Sequence, residues 1–325
     1  MRRGLALGLT TAALPASIVV SLSLGPYQAV NFMTLMALLL GVSHGWVSVD
    51  VIRYRALRTL AAAVLGGGLA ASGSTLQFTV RNPLADPYLT GMASGSLLGV
   101  TLALLYGRGS FVELYTSALI GGLATLAAVI AISGLAGGGA TTLLVTGVAF
   151  SYVLSGVTMF VMIELGPRLP GALYWMFGSV AFVTYGIVLR TLFIVVASIA
   201  ALFAISKRVN ALLLGDEVAK AIGVNVRAVR LAAFTLSSLI TAALVAMAGP
   251  VGFVGLVAPW LSKRVFGVRY PTNLATASLI GAELTIVSDV IARLVLYPSE
   301  APLTAVTSVF GGPLLVYILL KSRGE

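Results

Sequence analysis

Ten acidic side chains, one histidine and no cysteine are the whole stock from which this 325-residue chain could build an acid–base, nucleophilic or metal site. Disulfides, thiolate ligands and cysteine nucleophiles are excluded at once. No Gly-Lys-Ser/Thr phosphate loop, His-Glu-x-x-His pair or Gly-x-Ser-x-Gly elbow occurs. The triple glycines Gly66 to Gly68 and Gly137 to Gly139 lack the lysine of a phosphate cradle and read as helix-packing or hinge positions. The one histidine, His44, stands in a polar connection with Trp46 and Asp50 and reads as a loop residue. What remains are polar groups inside apolar runs: Gln77, Glu164, Glu283, Asp289 and Arg293. An ionisable group in lipid is costly, so each is paired or functional. Asp289 and Arg293 stand four apart, on one helical face, where an ion pair can form. Glu283 reads as the maker of a structural hydrogen bond. Such a chain moves something rather than transforms it.

Composition says which elements must hold these groups. Charged residues are 9% of the chain, against about 25% in a soluble domain. Hydrophobic residues reach 59% and mean hydropathy is +1.05, so the surface that so long a chain must expose faces lipid. The apolar runs are long and continuous, without alternation at every second residue, which makes them helices rather than barrel strands. Ten runs fit, at 5–24, 56–78, 91–106, 111–134, 141–165, 187–206, 229–249, 252–266, 273–297 and 303–320. The eighth is too short to cross alone, and Pro250 and Pro259 bracket it, marking a broken or re-entrant element. Gly91, Gly95 and Gly99 recur every fourth residue and open one face of the third run to another helix backbone. The expected fold is all-α, a polytopic membrane protein of about ten transmembrane helices.

The net charge of +10 is scattered among the apolar runs and forms no stripe with interleaved aromatics, so it reads as topology and not as a nucleic-acid site. With the N-terminus inside, Arg53, Arg55, Arg58, Arg108, Arg168, Arg190 and Arg293 fall outside and the other basic residues fall inside. That bias places both termini in the cytoplasm. Arg2 and Arg3 precede an apolar run to Leu24, longer than a signal peptide's, so an uncleaved N-terminus is expected. The outside cluster Arg53-Tyr54-Arg55-Ala56-Leu57-Arg58 goes against the bias and needs another reason. Two long polar connections stand out, Gly25 to Arg55 outside and Lys207 to Arg230 inside. In the second, Asp216 and Glu217 open a short apolar-periodic segment that stops at Gly223, the pattern of a small projecting helix. Arg81-Asn82-Pro83-Leu84-Ala85-Asp86-Pro87 joins two spans through a twice proline-broken turn.

The order and spacing of several motifs carry a resemblance. They are Arg55-Ala56-Leu57-Arg58-Thr59, Ser72-Gly73, the Arg81 to Pro87 turn with Gly91, Leu214-Gly215-Asp216-Glu217-Val218-Ala219, Ile222-Gly223-Val224, the run Gly249 to Pro259, and Asp289-Val290-Ile291-Ala292-Arg293. Together they resemble the FecCD-type permeases that import ferric siderophores, haem and cobalamin by ATP-binding-cassette transport, over most of the chain from Arg55 onward. The chain departs from that pattern at Trp260, where the family commonly has histidine, and at Ala56-Leu57, where it commonly has proline.

The resemblance implies a type II importer fold, a single permease domain over 1–325 with a cytoplasmic coupling segment at 207–230. It implies a homodimer in a prokaryotic inner membrane with the substrate path between subunits, two cytoplasmic ATPase subunits and an extracytoplasmic binding protein. ATP and Mg would belong to the ATPase, and this chain would bind no cofactor or metal. Leu214, Gly215, Asp216, Glu217, Ala219, Ile222 and Gly223 then match the ATPase-coupling helix. Asn82, Pro83 and Leu84, with Thr141 and Thr142, match the cytoplasmic gate. Arg55, Arg58 and Arg293 match arginines that meet acids on the binding protein, which would explain the outside positive cluster. Tyr152, Met159 and Met162 are placed to line the path. Iron chelate, haem, cobalamin and molybdate-type oxyanion all stay open as cargo, because selectivity rests largely with the binding protein. The alternative is an ion-gradient-driven carrier or channel, for which the broken eighth run and the intramembrane acids speak.

Overall fold

The computed structural model describes residues 2–25 and 49–322. His44 and Trp46 therefore lie outside the described residues. Among the described residues the chain is helical without a strand. In order the helices are α1 (Arg2–Ser23), α2 (Val49–Val80), α3 (Met92–Leu105), α4 (Phe111–Leu135), α5 (Ala140–Glu164), α6 (Leu169–Met176), α7 (Tyr185–Ala204), α8 (Ser206–Ala211), α9 (Asp216–Ala221), α10 (Val226–Ala248), α11 (Val254–Phe266), α12 (Tyr270–Val295) and α13 (Leu303–Ser322). Six of them, α2, α4, α5, α7, α10 and α12, are long and apolar enough to cross a membrane. Shorter apolar stretches lie in α1, α3 and α13. At 14 and 13 residues, α3 and α11 reach only about 20 Å.

Local chemistry explains several boundaries. Ser110 caps α4 reciprocally: its hydroxyl accepts from Glu113 N–H and the Glu113 carboxylate accepts from Ser110 N–H. Asn225 caps α10 by accepting from Ala228 N–H at 3.0 Å. One boundary departs from the sequence reading. The second span, expected from residue 56, starts at Val49, so Arg53 and Arg55 sit on α2 with Arg58 and not in a connection. Hydropathy falls where the charges begin, but no Gly or Pro breaks the backbone there, and a helix continues through charge that has partners. The short helices α6 and α8 were not expected either.

The eighth element is broken at its start, as expected, but Pro259, expected to bracket it, lies inside the helix, which continues to Phe266. After α10 the chain unwinds through Gly249 to Phe253, both at positive φ, before α11 begins. Non-helical backbone inside a bundle needs partners for its polar groups. Tyr88 supplies them: its hydroxyl accepts from Val251 N–H at 2.7 Å and donates to Val251 O at 3.0 Å. Thr304 donates to Pro250 O at 2.7 Å, and Ser179 N–H to Ala248 O at 2.8 Å.

Helix α2 is the hub. Its apolar window is 83% buried, against 17% for α5. Glycine lets its neighbours come close. A Cβ on Gly66 would strike the Gly281 carbonyl of α12, one on Gly281 would strike that of Gly66, and one on Gly73 would strike Gly255 of α11. Gly95 and Gly99 of α3 meet α4 at Gly121 and Ser117 in the same way, as the four-residue spacing requires. Gly66→Val is therefore expected to destabilise the fold by about 3 kcal/mol, the upper range for over-packing. Thermal unfolding in detergent reads this out. Gly156→Ala, where a Cβ meets open space, is the control that should melt with the parent.

Candidate functional site

The first of two candidate surfaces gathers at the end of the bundle where α2 stops. Gly215, at φ 100°, turns the chain into α9, and Gly223, at φ 83°, turns it out again, as the glycine stop in the sequence indicates. On this six-residue helix Ala219 is wholly buried and Val218 is 48% exposed, while Leu214 in the 3-10 turn before it and Ile222 at its C-cap are 62% and 59% exposed. The three leave apolar side chains in solvent along and beside α9. Glu217 pairs with Lys220 at 2.9 Å in solvent. Asp216 faces inward instead. Both its oxygens accept from Nη2 of the buried Arg230 in α10 at 3.0 Å, and Oδ1 also accepts from Arg81 Nη2 at 3.2 Å. The Arg81 arm is half-exposed and so contributes at most about 1 kcal/mol. Arg230, largely out of water, carries the rest.

Arg81 is the first residue of the proline-broken turn and holds a left-handed φ of 57°, unusual for a residue with a side chain. Next to it, Asn82 Oδ1 accepts from Leu84 N–H at 2.9 Å, and Pro83 and Leu84 are exposed. Asp86 then caps the 3-10 turn Pro87–Thr90, accepting from Tyr88 N–H at 2.8 Å. Protein packed around the Asp86 carboxyl pushes it up to about 6, against the Tyr88 bond, which favours the ionised form. Thr141 and Thr142 stand in the first turn of α5, and further along Gly147 lies against the Leu89–Thr90 backbone, so α5 abuts this turn. Tyr152 and Met159 are exposed on α5, whereas Met162 is half-buried and packs against the core.

The second surface lies near the other end of α2. Arg58 and Arg293 share Asp289, each with a 2.8 Å ion pair, and Arg58 and Asp289 are only 2% exposed. Arg58 also grips Glu300 through both terminal nitrogens, at 2.7 and 2.9 Å, and donates to Tyr54 Oη at 3.3 Å. Arg293 donates to Ser21 Oγ at 2.6 Å. Arg55 donates to Leu22 O and Ser23 O of α1. The structure thus brings the three sequence-selected arginines together, lining a cleft with Tyr54 and Glu300, but their guanidinium groups are already engaged within the chain. Arg53, the first residue of the outside cluster, is exposed here and paired loosely with Asp50 at 3.7 Å.

The other intramembrane candidates separate. Asp289 and Arg293 pair as their spacing indicated. Gln77 accepts from Lys263 Nζ at 2.8 Å and donates to Leu256 O. Glu164 is exposed at the end of α5. The structural hydrogen bond expected of Glu283 is not made through Oε1, which is buried without a partner among the described residues. Glu300, Tyr54 and Ser21 were missed by sequence reasoning, and so was the partnership of Asp216 with Arg81 and Arg230. Contacts between residues so far apart in the chain leave no local signal.

The model of the FecCD transport family matches residues 13–321. The chain belongs to this family. Relatives named for their cargo agree with that placement. The cobalamin import system permease of Halobacterium salinarum is 33% identical over 81% of this chain and 71% of its own length. The Fe(3+)-citrate import system permease of Bacillus subtilis is 33% identical over 82% and 80%. The hemin transport system permease of Yersinia pestis is 32% identical over 87% and 85%. A solved structure described as an inward-facing metal-chelate type ABC transporter superposes with a TM-score of 0.86, at 30% identity over 98% of this chain and 99% of that one. This FecCD protein is accordingly a multi-pass permease subunit of an ABC importer in the cell membrane.

Proposed function

We propose that this permease imports an iron chelate, haem or cobalamin as a homodimer, with two ATPase subunits on the cytoplasmic side and a binding protein outside. The cargo range follows the names of its relatives. The observation that carries the coupling is the group of Leu214, Val218 and Ile222, apolar side chains held in solvent on α9 and at its two ends, with the helix anchored from behind by Asp216. Exposed apolar surface of this kind marks a protein partner. In this reading the whole chain, 1–325, is one domain of about ten crossings with both termini cytoplasmic, and α9 and the Asn82–Leu84 turn share the inner face. Thr141 and Thr142 complete the gate, and exposed Tyr152 and Met159 line the path where two copies of α5 approach. Nucleotide and Mg stay on the ATPase, and the chain holds no metal or cofactor. Arg55, Arg58 and Arg293 organise the outer docking face, with Arg53 as its solvent-facing charge.

Reconstitution tests this. Proteoliposomes holding the permease with its ATPase and binding protein should take up ferric citrate, haemin or cobalamin only with ATP inside reach of the ATPase. Uptake by the permease alone, driven by an ion gradient, would replace this reading with a secondary carrier.

A further inference from the structure

The coupling helix and the gate turn are 135 residues apart in sequence, yet one carboxylate touches both. We propose that Asp216 is the joint between them: through Arg230 it ties α9 to the start of α10 so that the two move together, and its contact to Arg81 passes that displacement to the Asn82–Leu84 turn. This rests on the coupling assignment made above and adds the residue that conveys the motion.

Three observations lead there. First, Asp216 does not belong to the exposed apolar group. Its carboxylate turns into the protein, with both oxygens on Arg230 and one also on Arg81. Secondly, the two arms are unequal. Arg230 is buried and its Nε has no hydrogen-bond partner among the described residues, so Asp216 is what holds that guanidinium. Arg81 is half in solvent, and a contact there can be made and broken. Thirdly, Arg81 occupies a left-handed backbone position, where glycine is the usual residue at a helix end. A side chain kept at a strained position points to a use for it. Because Arg81 directly precedes Asn82, any pull on its guanidinium is delivered to the first residue of the turn.

The absence of cysteine allows a clean reporter. Leu84→Cys, exposed in the turn, is to be labelled with a water-soluble maleimide in the complex purified with its ATPase from native membranes. In the Arg81 parent, ATP with vanadate should change the labelling rate at least about fivefold, the low end of an allosteric coupling. Arg81→Gln should abolish that change while ATPase attachment and basal hydrolysis stay as in the parent, and Arg81→Lys, which keeps the charge, should restore it. A merely structural role would lower the melting temperature of Arg81→Gln without separating hydrolysis from labelling. The joint is refuted if Arg81→Gln keeps the nucleotide response, or if it sheds the ATPase, which would make Arg81 a docking contact. If the parent itself shows no response to nucleotide, the coupling assignment fails and takes the joint with it.

Discussion

Asp289→Ala is expected to destabilise the permease by about 3–5 kcal/mol, the range for removing one member of a buried ion pair. The carboxylate lies between Arg58 and Arg293 at 2.8 Å from each, and both arginines are as deeply buried as it is. Its loss leaves two like charges side by side in protein, with only Glu300, at the more open edge of the cluster, to balance one of them. Arg293 would keep Ser21, a neutral partner. Thermal unfolding in detergent should show a large fall in midpoint, and membrane yield should fall with it. Glu300→Gln should cost less, because that side chain is 27% exposed and water can replace part of what it gives. A second variant separates folding from docking. Replacing the cluster together, Arg58→Met with Asp289→Leu, Arg293→Met and Glu300→Gln, removes the charges as a set and should recover much of the lost stability. A recovered fold that no longer accepts the binding protein would assign the arginines to the outer face. Asp289→Ala melting with the parent would show that the triad does not hold the helices.

The second large effect belongs to the apolar side chains exposed on α9 and at its two ends. Val218→Asp, or the same change at Leu214 or Ile222, puts a charge where the ATPase is expected to seat an apolar side chain. Central contacts of this kind carry 2 to 4 kcal/mol, so affinity for the ATPase should fall by about 100-fold. All three side chains are exposed in the free chain, and the melting temperature should therefore stay where it is. Co-purification of the ATPase with tagged permease, quantified against the parent, measures the loss. Undiminished co-purification would remove α9 as the docking element. Glu217→Ala serves as a contrast, since its bond to Lys220 lies wholly in solvent and its removal should change little.

The parts of this architecture that sequence made legible are those with short-range physical causes. Continuous apolar runs located the long helices. Gly249-Pro250 marked the break before α11, because proline and glycine act on the backbone at their own position, whereas Pro259 lies within α11 and does not end it. Four-residue spacing put Gly95 and Gly99 on the face that α4 covers, and it put Asp289 beside Arg293. The acids of Asp216-Glu217 and the stop at Gly223 outlined α9. What stayed hidden was set by tertiary contact. Helix α2 runs back to Val49 because Arg55 and Arg58 find acceptors on α1, α12 and the turn before α13, none of which a hydropathy window contains. Glu300 meets Arg58 across 242 residues, and Arg81 meets Asp216 across 135. Glu283 went the other way: a partner expected for a buried acid is missing from Oε1.

At 32 residues, α2 is about 48 Å long, well beyond the roughly 30 Å of a hydrocarbon core. One unbroken rod therefore carries the arginine cluster near its first turns and Arg81 just past its last. Midway, Gly66 and Gly73 lie backbone to backbone against α12 and α11, and Ser72, Ser74 and Thr75 are hydrogen-bonded to α10 and α12 beside them. A rod gripped so closely at its middle can move only as a unit with its neighbours: a tilt of a few degrees about that grip would swing the two extremities in opposite directions by about an ångström.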